Sequence, residues 1–462
     1  MRYVSTRGQS PELGFAEAMR AGLAPDGGLY VPAEVPRWSP GEIAALAGLP
    51  YEQAAVRVMA PFAAPDFGED ELRGIVERAY AEFGHPARAP LRQLGPDHFL
   101  LELFHGPTLA FKDFAMQVIG GLFAAQLKRT GERITIVGAT SGDTGSAAIE
   151  AFRGRPGVEV FILYPDGRVS EVQRRQMTTA IEGNVHAVAV EGTFDDCQAR
   201  VKDMFADRPF AEEVGLAAVN SINWGRVLAQ VVYYFAAAVA LGAPHRAVSF
   251  AVPTGNFGDV YAGSIARRMG LPVRELVVAT NRNDILHRCL TGGEYRPLGV
   301  APTISPSMDI EVSSNFERAL FDAYGRDGRA VSQLMEELRA GGFTVSQGAL
   351  EALREVYSSG RASEDGTRAT IARTRRRTGE LLCPHSAVGV DVAERHLGGD
   401  VPMVTLATAH PAKFPDAVEA ACGVRPPLPP RMADLLGRHE RIAHVPNDLG
   451  ALEAYVRAHR AP

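Results

Sequence analysis

The feature that most constrains the fold is a repeated unit of apolar strand, short loop and amphipathic helix. Short apolar or β-branched runs occupy residues 134–137, 158–163 and 185–190, and a segment with helical spacing follows each of them. The same unit returns at 247–252 and 275–279. Continuous apolar strands that alternate with helices are typical of parallel sheets covered on both faces. We therefore predict an α/β fold, which binds ligands at the carboxyl ends of its strands.

The length of the chain requires more than one domain. At 462 residues it exceeds what a single core usually supports. The first part shows helical spacing and ends in the Gly/Pro-rich stretch 84–90, which indicates a linker. We predict a mostly helical domain at 1–90, an α/β domain at 91–245 and a second α/β domain at 246–462. These boundaries are approximate, and the domains can interleave.

The composition argues against several classes of function. The hydrophobic fraction of 46% and the charged fraction of 22% are those of an ordinary globular protein. A net charge of -6 provides no general attraction to nucleic acid or to anionic membranes. The arginine-rich run 373–377 has no interleaved aromatic residues, so we interpret it as a solvated helix face. The four cysteines lack Cys-x-x-Cys spacing, which gives no reason to expect a metal or a redox site.

The same features predict where the protein works. The chain begins without the apolar core of a signal peptide, and its scattered cysteines fit a reducing compartment. The most apolar stretch, 227–243, contains Gln230 and is short for a membrane span, so we predict a buried core helix there. We expect a cytoplasmic protein that acts on a small molecule, with neither a nucleic-acid nor a membrane partner.

One lysine stands out as a candidate for chemistry. Lys112 lies in the run HGPTLAFKDF at 105–114, between Phe111 and Phe114. Apolar surroundings lower the pKa of an amine, and a neutral lysine can attack a carbonyl and hold it as a Schiff base. The alternative is a lysine whose stem packs on aromatic rings while its ammonium group reaches water.

A glycine-rich loop at 253–259, PTGNFGD, follows a predicted strand and precedes a predicted helix. Its glycines permit a tight turn with exposed N–H groups, and the start of the helix adds a positive dipole end. This combination forms an anion site of the size of a phosphate. The loop matches neither a Walker motif nor the dinucleotide fingerprint, and an ordinary Gly/Asn turn is the alternative.

A second polar loop, GATSGDTGS at 138–146, has the same strand-to-helix position. Its hydroxyl and N–H groups suit a carboxylate or a phosphate. Asp143 would repel such an anion, so we expect it to orient or hydrogen-bond other groups. The alternative is a plain helix start capped by Ser141 or Thr144.

An activated lysine together with a separate phosphate site is the combination that pyridoxal 5'-phosphate requires. We therefore predict that cofactor, since no nicotinamide or flavin fingerprint competes with it. With this combination in view, the chain resembles the threonine synthases, which belong to the tryptophan-synthase-β-like, fold type II group of pyridoxal-phosphate enzymes. The resemblance spans nearly the whole chain and rests on motifs at 1–8, 105–113, 140–145, 255–259 and 406–414, in that order. It implies two three-layer α/β domains with parallel sheets and a mostly helical N-terminal domain.

The resemblance also implies roles for individual residues. Lys112 would form the Schiff base and act as the catalytic base, and Thr408 would lie near the pyridine nitrogen. The other cofactor-binding residues would be Gly255, Asn256, Phe257, Gly258 and Asp259. The candidates for holding the substrate's phosphate or carboxylate, with the allocation open, are Ser141, Gly142, Asp143, Thr144 and Lys413. His385 receives no role, because a structural histidine at a helix start explains it equally well.

The implied reaction converts O-phospho-L-homoserine and water to L-threonine and phosphate, as the last step of threonine biosynthesis by a carbon–oxygen lyase. The oligomeric expectation is a monomer or a small homo-oligomer. Three alternatives stay open. A relative could eliminate phosphate and release ammonia and a keto acid, and a serine/threonine dehydratase would share the fold but not the motif at 409–414. A non-catalytic phosphometabolite-binding protein would have no need of Lys112.

Overall fold

The computed structural model describes residues 1–461, and most of its strands belong to two large sheets. The strands are β1 (Tyr3–Ser5), β2 (Tyr30–Pro32), β3 (Leu91–Gly95), β4 (His98–Glu102), β5 (Ile134–Ala139), β6 (Val158–Pro165), β7 (Val185–Val190), β8 (Leu216–Ala217), β9 (Val248–Pro253), β10 (Val273–Thr280), β11 (Glu294–Tyr295), β12 (Phe343–Thr344), β13 (Tyr357–Arg361), β14 (Met403–Ala407) and β15 (Ala443–Val445).

The helices cover both faces of these sheets and form most of the N-terminal region. They are α1 (Phe15–Ala21), α2 (Pro40–Ala44), α3 (Tyr51–Ala63), α4 (Glu69–Tyr80), α5 (Lys112–Thr130), α6 (Asp143–Phe152), α7 (Glu171–Thr178), α8 (Phe194–Ala206), α9 (Arg208–Val214), α10 (Trp224–Ala240), α11 (Gly258–Arg268), α12 (Ile285–Gly292), α13 (Phe316–Ala323), α14 (Gly328–Arg339), α15 (Gln347–Arg354), α16 (Glu364–Thr378), α17 (Pro384–Ala393), α18 (Pro415–Cys422) and α19 (Leu449–His459).

The two large sheets confirm the predicted α/β class. A five-stranded sheet has the order β15-β7-β6-β5-β8, and all of its pairs are parallel. A six-stranded sheet has the order β13-β10-β9-β14-β4-β3, and only its β3–β4 pair is antiparallel. The central strands β5, β6, β7, β9 and β10 coincide with the apolar runs of the sequence, as expected for strands covered on both faces.

The two α/β units exchange strands along the chain. Strands β3 and β4, at 91–102, pair into the sheet formed mainly by the C-terminal half. Conversely, β15, which follows every strand of that sheet in sequence, pairs with β7 in the five-stranded sheet. Each unit is therefore assembled from both halves of the sequence, and the cleft between the sheets is lined from both.

Helix α10 is the buried helix expected in the apolar stretch, and it packs against α3, α5 and α11. The helices α3 and α4 of the N-terminal region contact each other and also α5 and α10. The N-terminal helices therefore pack onto the same hydrophobic core as α5 and α10. Across residues 1–461, the helices offer no stretch whose length and hydropathy would let it cross a bilayer.

A fully buried arginine ties the N-terminal region to the rest of the fold. Arg318, on α13, donates from Nε and Nη2 to the carbonyl oxygen of Tyr30 at 3.2 and 2.9 Å. Its Nη2 also donates to the carbonyl oxygen of Ile222 at 2.6 Å. One guanidinium group therefore satisfies backbone acceptors from two distant segments, which suits its rigid fork of donors.

We predict that Arg318→Met lowers the free energy of unfolding by about 3 kcal/mol, because two buried carbonyl groups lose their donors. Urea unfolding of the cofactor-free protein measures this change. The exposed Arg329 is the control, and Arg329→Met should change stability by less than about 0.5 kcal/mol. Equal effects of the two substitutions would contradict the role given to Arg318.

Candidate active site

Loops from both sheets converge on one small cavity. Its volume is about 170 Å³, and its walls include the residues that directly follow β9 and β14, together with Asp143 and Thr144 after β5. The remaining wall comes from the start of α5, from α10 and from the start of α17. The cavity therefore lies at the carboxyl ends of parallel strands, where this fold class binds ligands.

Lys112 is the first residue of α5, and its side chain lines this cavity. Its Nζ lies 3.5 Å from Oδ2 of Asp143 and 4.7 Å from the ring centroid of Phe111. Burial lowers the pKa of Lys112, and the Asp143 carboxylate opposes that shift. The amine is enclosed rather than extended into bulk water, so it can serve as a nucleophile and a base.

The loop at 255–259 borders the same cavity and has the geometry of an anion site. Phe257 adopts a left-handed conformation with φ of 64°, and α11 begins at Gly258 without a side-chain cap. The first N–H groups of a helix have no intrahelical acceptor, so they are available to an anion. A Cβ at Gly255 would lie 3.0 Å from the carbonyl oxygen of Ser307, so the close approach of these two segments favours glycine.

Asp259 differs from the other residues of this loop because it carries a carboxylate into an anion site. Its Oδ1 accepts hydrogen bonds from Tyr233 at 2.5 Å and from Tyr234 at 3.0 Å. Burial raises the pKa of Asp259 to about 6, although these two hydrogen bonds act in the opposite direction. The two phenols thus disperse the charge that would otherwise repel an anion at the helix start.

Asp143 lies between the two lysines predicted for the site, Lys112 and Lys413. Its Oδ1 lies 2.9 Å from Nζ of Lys413 and accepts a hydrogen bond from Nε2 of Gln173 at 2.9 Å. Burial alone would raise the pKa of Asp143, but Lys413 and Lys112 hold it well below its usual range. Lys413 is fully buried and also donates to the carbonyl oxygen of Thr108 at 2.7 Å. Lys413 is not among the cavity-lining residues and reaches the cavity through Asp143.

The loop around Asp143 is arranged by Thr140. Its Oγ1 accepts hydrogen bonds from the N–H groups of Gly142 at 2.9 Å and Gly145 at 2.8 Å. The helix α6 has Gly142 as its N-cap with no side-chain cap, so neither Ser141 nor Thr144 has the capping role considered as an alternative. Thr144 lines the cavity together with Asp143, whereas Ser141 and Gly142 do not.

Thr408 is also brought to the cavity, directly after β14. Its N–H donates to Oγ of Ser386 at 3.1 Å, and its carbonyl oxygen accepts from the N–H of Phe111 at 2.8 Å. The second of these bonds connects the end of β14 to Phe111, the residue just before Lys112. The position of Thr408 relative to the lysine is therefore set by the backbone.

Two side chains of α10 at this cavity were missed by the sequence analysis. Arg226 is buried, and within residues 1–461 its Nε and Nη1 have no hydrogen-bond partner. Burial lowers the pKa of Arg226 to about 10. Gln230, one turn further on, has an Oε1 that is likewise unpaired in the described chain. An arginine and a glutamine four residues apart on an otherwise apolar helix were the available signal.

We predict that Lys413→Met destabilises the cofactor-free protein by about 3 kcal/mol or more, because the buried carboxylate of Asp143 loses its closest cation. Adding Asp143→Asn should recover part of this loss, since the amide carries no charge. Urea unfolding of the wild type, the single variant and the double variant measures both effects. A double variant less stable than Lys413→Met would contradict the pairing.

Comparisons with known proteins add to this geometry. Three family models match the chain: "Threonine synthase N terminus" at 2–80, "Pyridoxal-phosphate dependent enzyme" at 85–334 and "Threonine synthase, C-terminal" at 386–456. A threonine synthase from Pseudomonas aeruginosa is 55% identical, over 99% of this chain and 98% of its own.

Solved structures give the same result. A pyridoxal-phosphate-bound threonine synthase from Brucella melitensis superposes with a TM-score of 0.98 at 56% identity, and the match covers 100% of both chains. A threonine synthase from yeast superposes with a TM-score of 0.95 at 38% identity, over 99% of this chain and 98% of that chain.

Proposed function

This chain belongs to the threonine synthase family of pyridoxal-phosphate-dependent enzymes, and on that premise we propose that its active site is the cavity around Lys112. We further propose O-phospho-L-homoserine as the substrate, which with water yields L-threonine and phosphate. The observation that carries the proposal is that Lys112 and the loop at 255–259 line one cavity of about 170 Å³. An amine and an anion site on the wall of one cavity match the two ends of one cofactor.

The residues of the cavity fit pyridoxal phosphate. The uncapped start of α11 supplies N–H donors for the cofactor's phosphate, at residues 255–259. Lys112 supplies the amine for its aldehyde, and Thr408 supplies a hydroxyl for its ring nitrogen. A hydroxyl there, in place of a carboxylate, leaves the ring less electron-withdrawing.

When bound, pyridoxal phosphate supplies an aldehyde that condenses with an amine and a ring that stabilises negative charge on the adjacent substrate carbon. Lys112 is the residue that transfers protons. Its buried Nζ, whose pKa is lowered by burial, accepts the proton from the substrate's α-carbon and then transfers protons at neighbouring carbons. A positioned base of this kind contributes about 10²–10⁴-fold to a proton transfer. Asp143, 3.5 Å away, stabilises the ammonium group while Lys112 holds the proton.

Arg226 is the residue that we assign to the substrate's phosphate. Its Nε and Nη1 are buried and unpaired within residues 1–461, and it lines the cavity. A guanidinium group binds phosphate with two parallel hydrogen bonds, and it stabilises the negative charge that grows as phosphate leaves. Thr144, the residue of the loop at 141–144 that brings a hydroxyl group to the cavity, then serves the substrate's carboxylate. Lys413 supports that loop by neutralising Asp143.

The central test replaces the amine. Lys112→Ala should abolish the visible absorbance of the protein–cofactor Schiff base and lower the release of threonine and phosphate by about 10²–10⁴-fold. Purified protein with pyridoxal phosphate and O-phospho-L-homoserine, assayed for both products, gives the measurement. Detection of ammonia and a keto acid instead of threonine would identify the elimination reaction.

Lys128 provides the matched control, because it is an exposed lysine at the other end of α5. Lys128→Ala should leave the absorbance and the activity within about twofold of wild type, as expected for a surface substitution. Near wild-type turnover by Lys112→Ala would remove Lys112 from the mechanism.

A second test addresses Arg226. Arg226→Gln should raise the KM for O-phospho-L-homoserine by about 10- to 100-fold, because a charge-assisted phosphate contact is lost. Inhibition by inorganic phosphate should weaken in parallel, while the affinity for pyridoxal phosphate stays within a few-fold. The exposed Lys202 on α8 is the control for general charge attraction, and Lys202→Ala should leave the KM unchanged. An unchanged KM in Arg226→Gln would assign the substrate's phosphate to another group.

A further inference from the structure

His385 borders the cavity without a function in the chemistry described above. It is the second residue of α17, it is buried, and it lines the cavity together with Lys112 and Thr408. Its ring lies 4.7 Å from the ring of Phe414, centroid to centroid, which restricts its orientation. Both nitrogens of a buried imidazole ring normally have hydrogen-bond partners.

One nitrogen has a fixed function. The Nε2 of His385 accepts a hydrogen bond from the N–H of Ser307 at 3.1 Å. A backbone N–H can only donate, so Nε2 carries no proton. In a neutral imidazole the single proton then lies on Nδ1, which makes Nδ1 a donor.

The surrounding charges favour this neutral form. Burial lowers the pKa of His385 to about 4. The Asp143 carboxylate acts against this shift, and the cations of Lys112 and Lys413 act with it. A protonated ring would in addition direct an Nε2–H at the N–H of Ser307. At neutral pH the ring is therefore uncharged, with its proton on Nδ1.

The other nitrogen lacks a partner. Nδ1 is buried, and the described chain provides no acceptor for it. An unpaired buried donor is unfavourable, and a bound acceptor would remove that cost. His385 lines the cavity, and the cofactor and the substrate of the proposed reaction both carry anionic oxygens that can act as this acceptor.

We infer that His385 is a hydrogen-bond donor of the active site, which offers Nδ1–H to an anionic oxygen of the bound cofactor or substrate. The inference rests on the proposed function, which provides these ligands. The oxygen belongs either to the cofactor's ring hydroxyl or to the carboxylate or phosphate of the substrate. In both cases the uncharged ring donates a hydrogen bond without adding a further positive charge to the site.

Two substitutions separate the two nitrogens. In His385→Asn the side-chain amide can place an N–H where Nδ1 lies, and in His385→Gln the longer side chain can reach Ser307 but leaves Nδ1 unreplaced. We expect His385→Gln to lose about 10- to 100-fold in kcat/KM and His385→Asn to lose much less. Equal losses in the two variants would indicate a structural role and overturn the inference. Thermal unfolding of both cofactor-free variants shows whether they are folded.

The cofactor's absorbance distinguishes the two sources of the oxygen. A shift of the visible band in His385→Gln without substrate, absent in His385→Asn, assigns the bond to the cofactor's ring oxygen. An unchanged band with a raised KM for O-phospho-L-homoserine in His385→Gln assigns it to the substrate. An unchanged band together with unchanged kinetics overturns the inference.

A measurement on the wild-type holoenzyme avoids the question of folding altogether. The ¹⁵N spectrum of histidine-labelled protein, assigned by the signal missing in His385→Asn, reports the tautomer directly. We expect a neutral ring with Nδ1–H at pH 7, and an Nε2–H tautomer or an imidazolium would overturn the inference. This result does not depend on turnover, so a wild type that forms no threonine would refute the proposed function and leave the tautomer test intact.

Discussion

The ion pair between Asp143 and Lys413 is the interaction on which the rest of the site depends. Without a second cation, the buried carboxylate of Asp143 would hold the neighbouring Lys112 as an ammonium ion. Because Lys413 lies 2.9 Å from Oδ1 of Asp143 and Lys112 lies 3.5 Å from Oδ2, the fully buried cation takes the larger share of that charge. Lys112 is thus left with an environment dominated by burial, which lowers the pKa of its amine.

The interleaved chain explains how these residues meet. Lys112 follows β4, Asp143 follows β5 and Thr408 follows β14, so three loops that are distant in sequence leave strands of the two sheets and meet at one cavity. The backbone bond between Phe111 N–H and the carbonyl oxygen of Thr408 joins two of them directly. The positions of the reactive groups are therefore properties of the two sheets, and they do not depend on long flexible loops.

Much of this arrangement could be predicted from the sequence, and the reasons for the gaps are physical. The apolar runs located the central strands, and Lys112 with the loop at 255–259 could be recognised because glycines, a strand and a helix start occur together locally. Arg226 escaped because a single buried arginine resembles a helix-surface residue until its burial is known. Lys413 was expected at the substrate, but its partner Asp143 is 270 residues away in sequence, and such pairing leaves no local pattern. The edge strands β3 and β13 lack continuous apolar runs, because an edge strand is partly exposed.

The distribution of charge around the cavity separates the two anion sites. Lys413 is neutralised by Asp143, so it adds little net charge for a ligand. At the start of α11, Tyr233 and Tyr234 disperse the charge of Asp259 through their hydrogen bonds. Burial also raises the pKa of this carboxyl group to about 6. The start of α11 therefore keeps its positive character. Arg226 is then the cation at the cavity whose Nε and Nη1 stay unpaired within residues 1–461. Under the function proposed above, the backbone N–H groups would bind the phosphate of the cofactor, and the guanidinium group would bind the phosphate of the substrate.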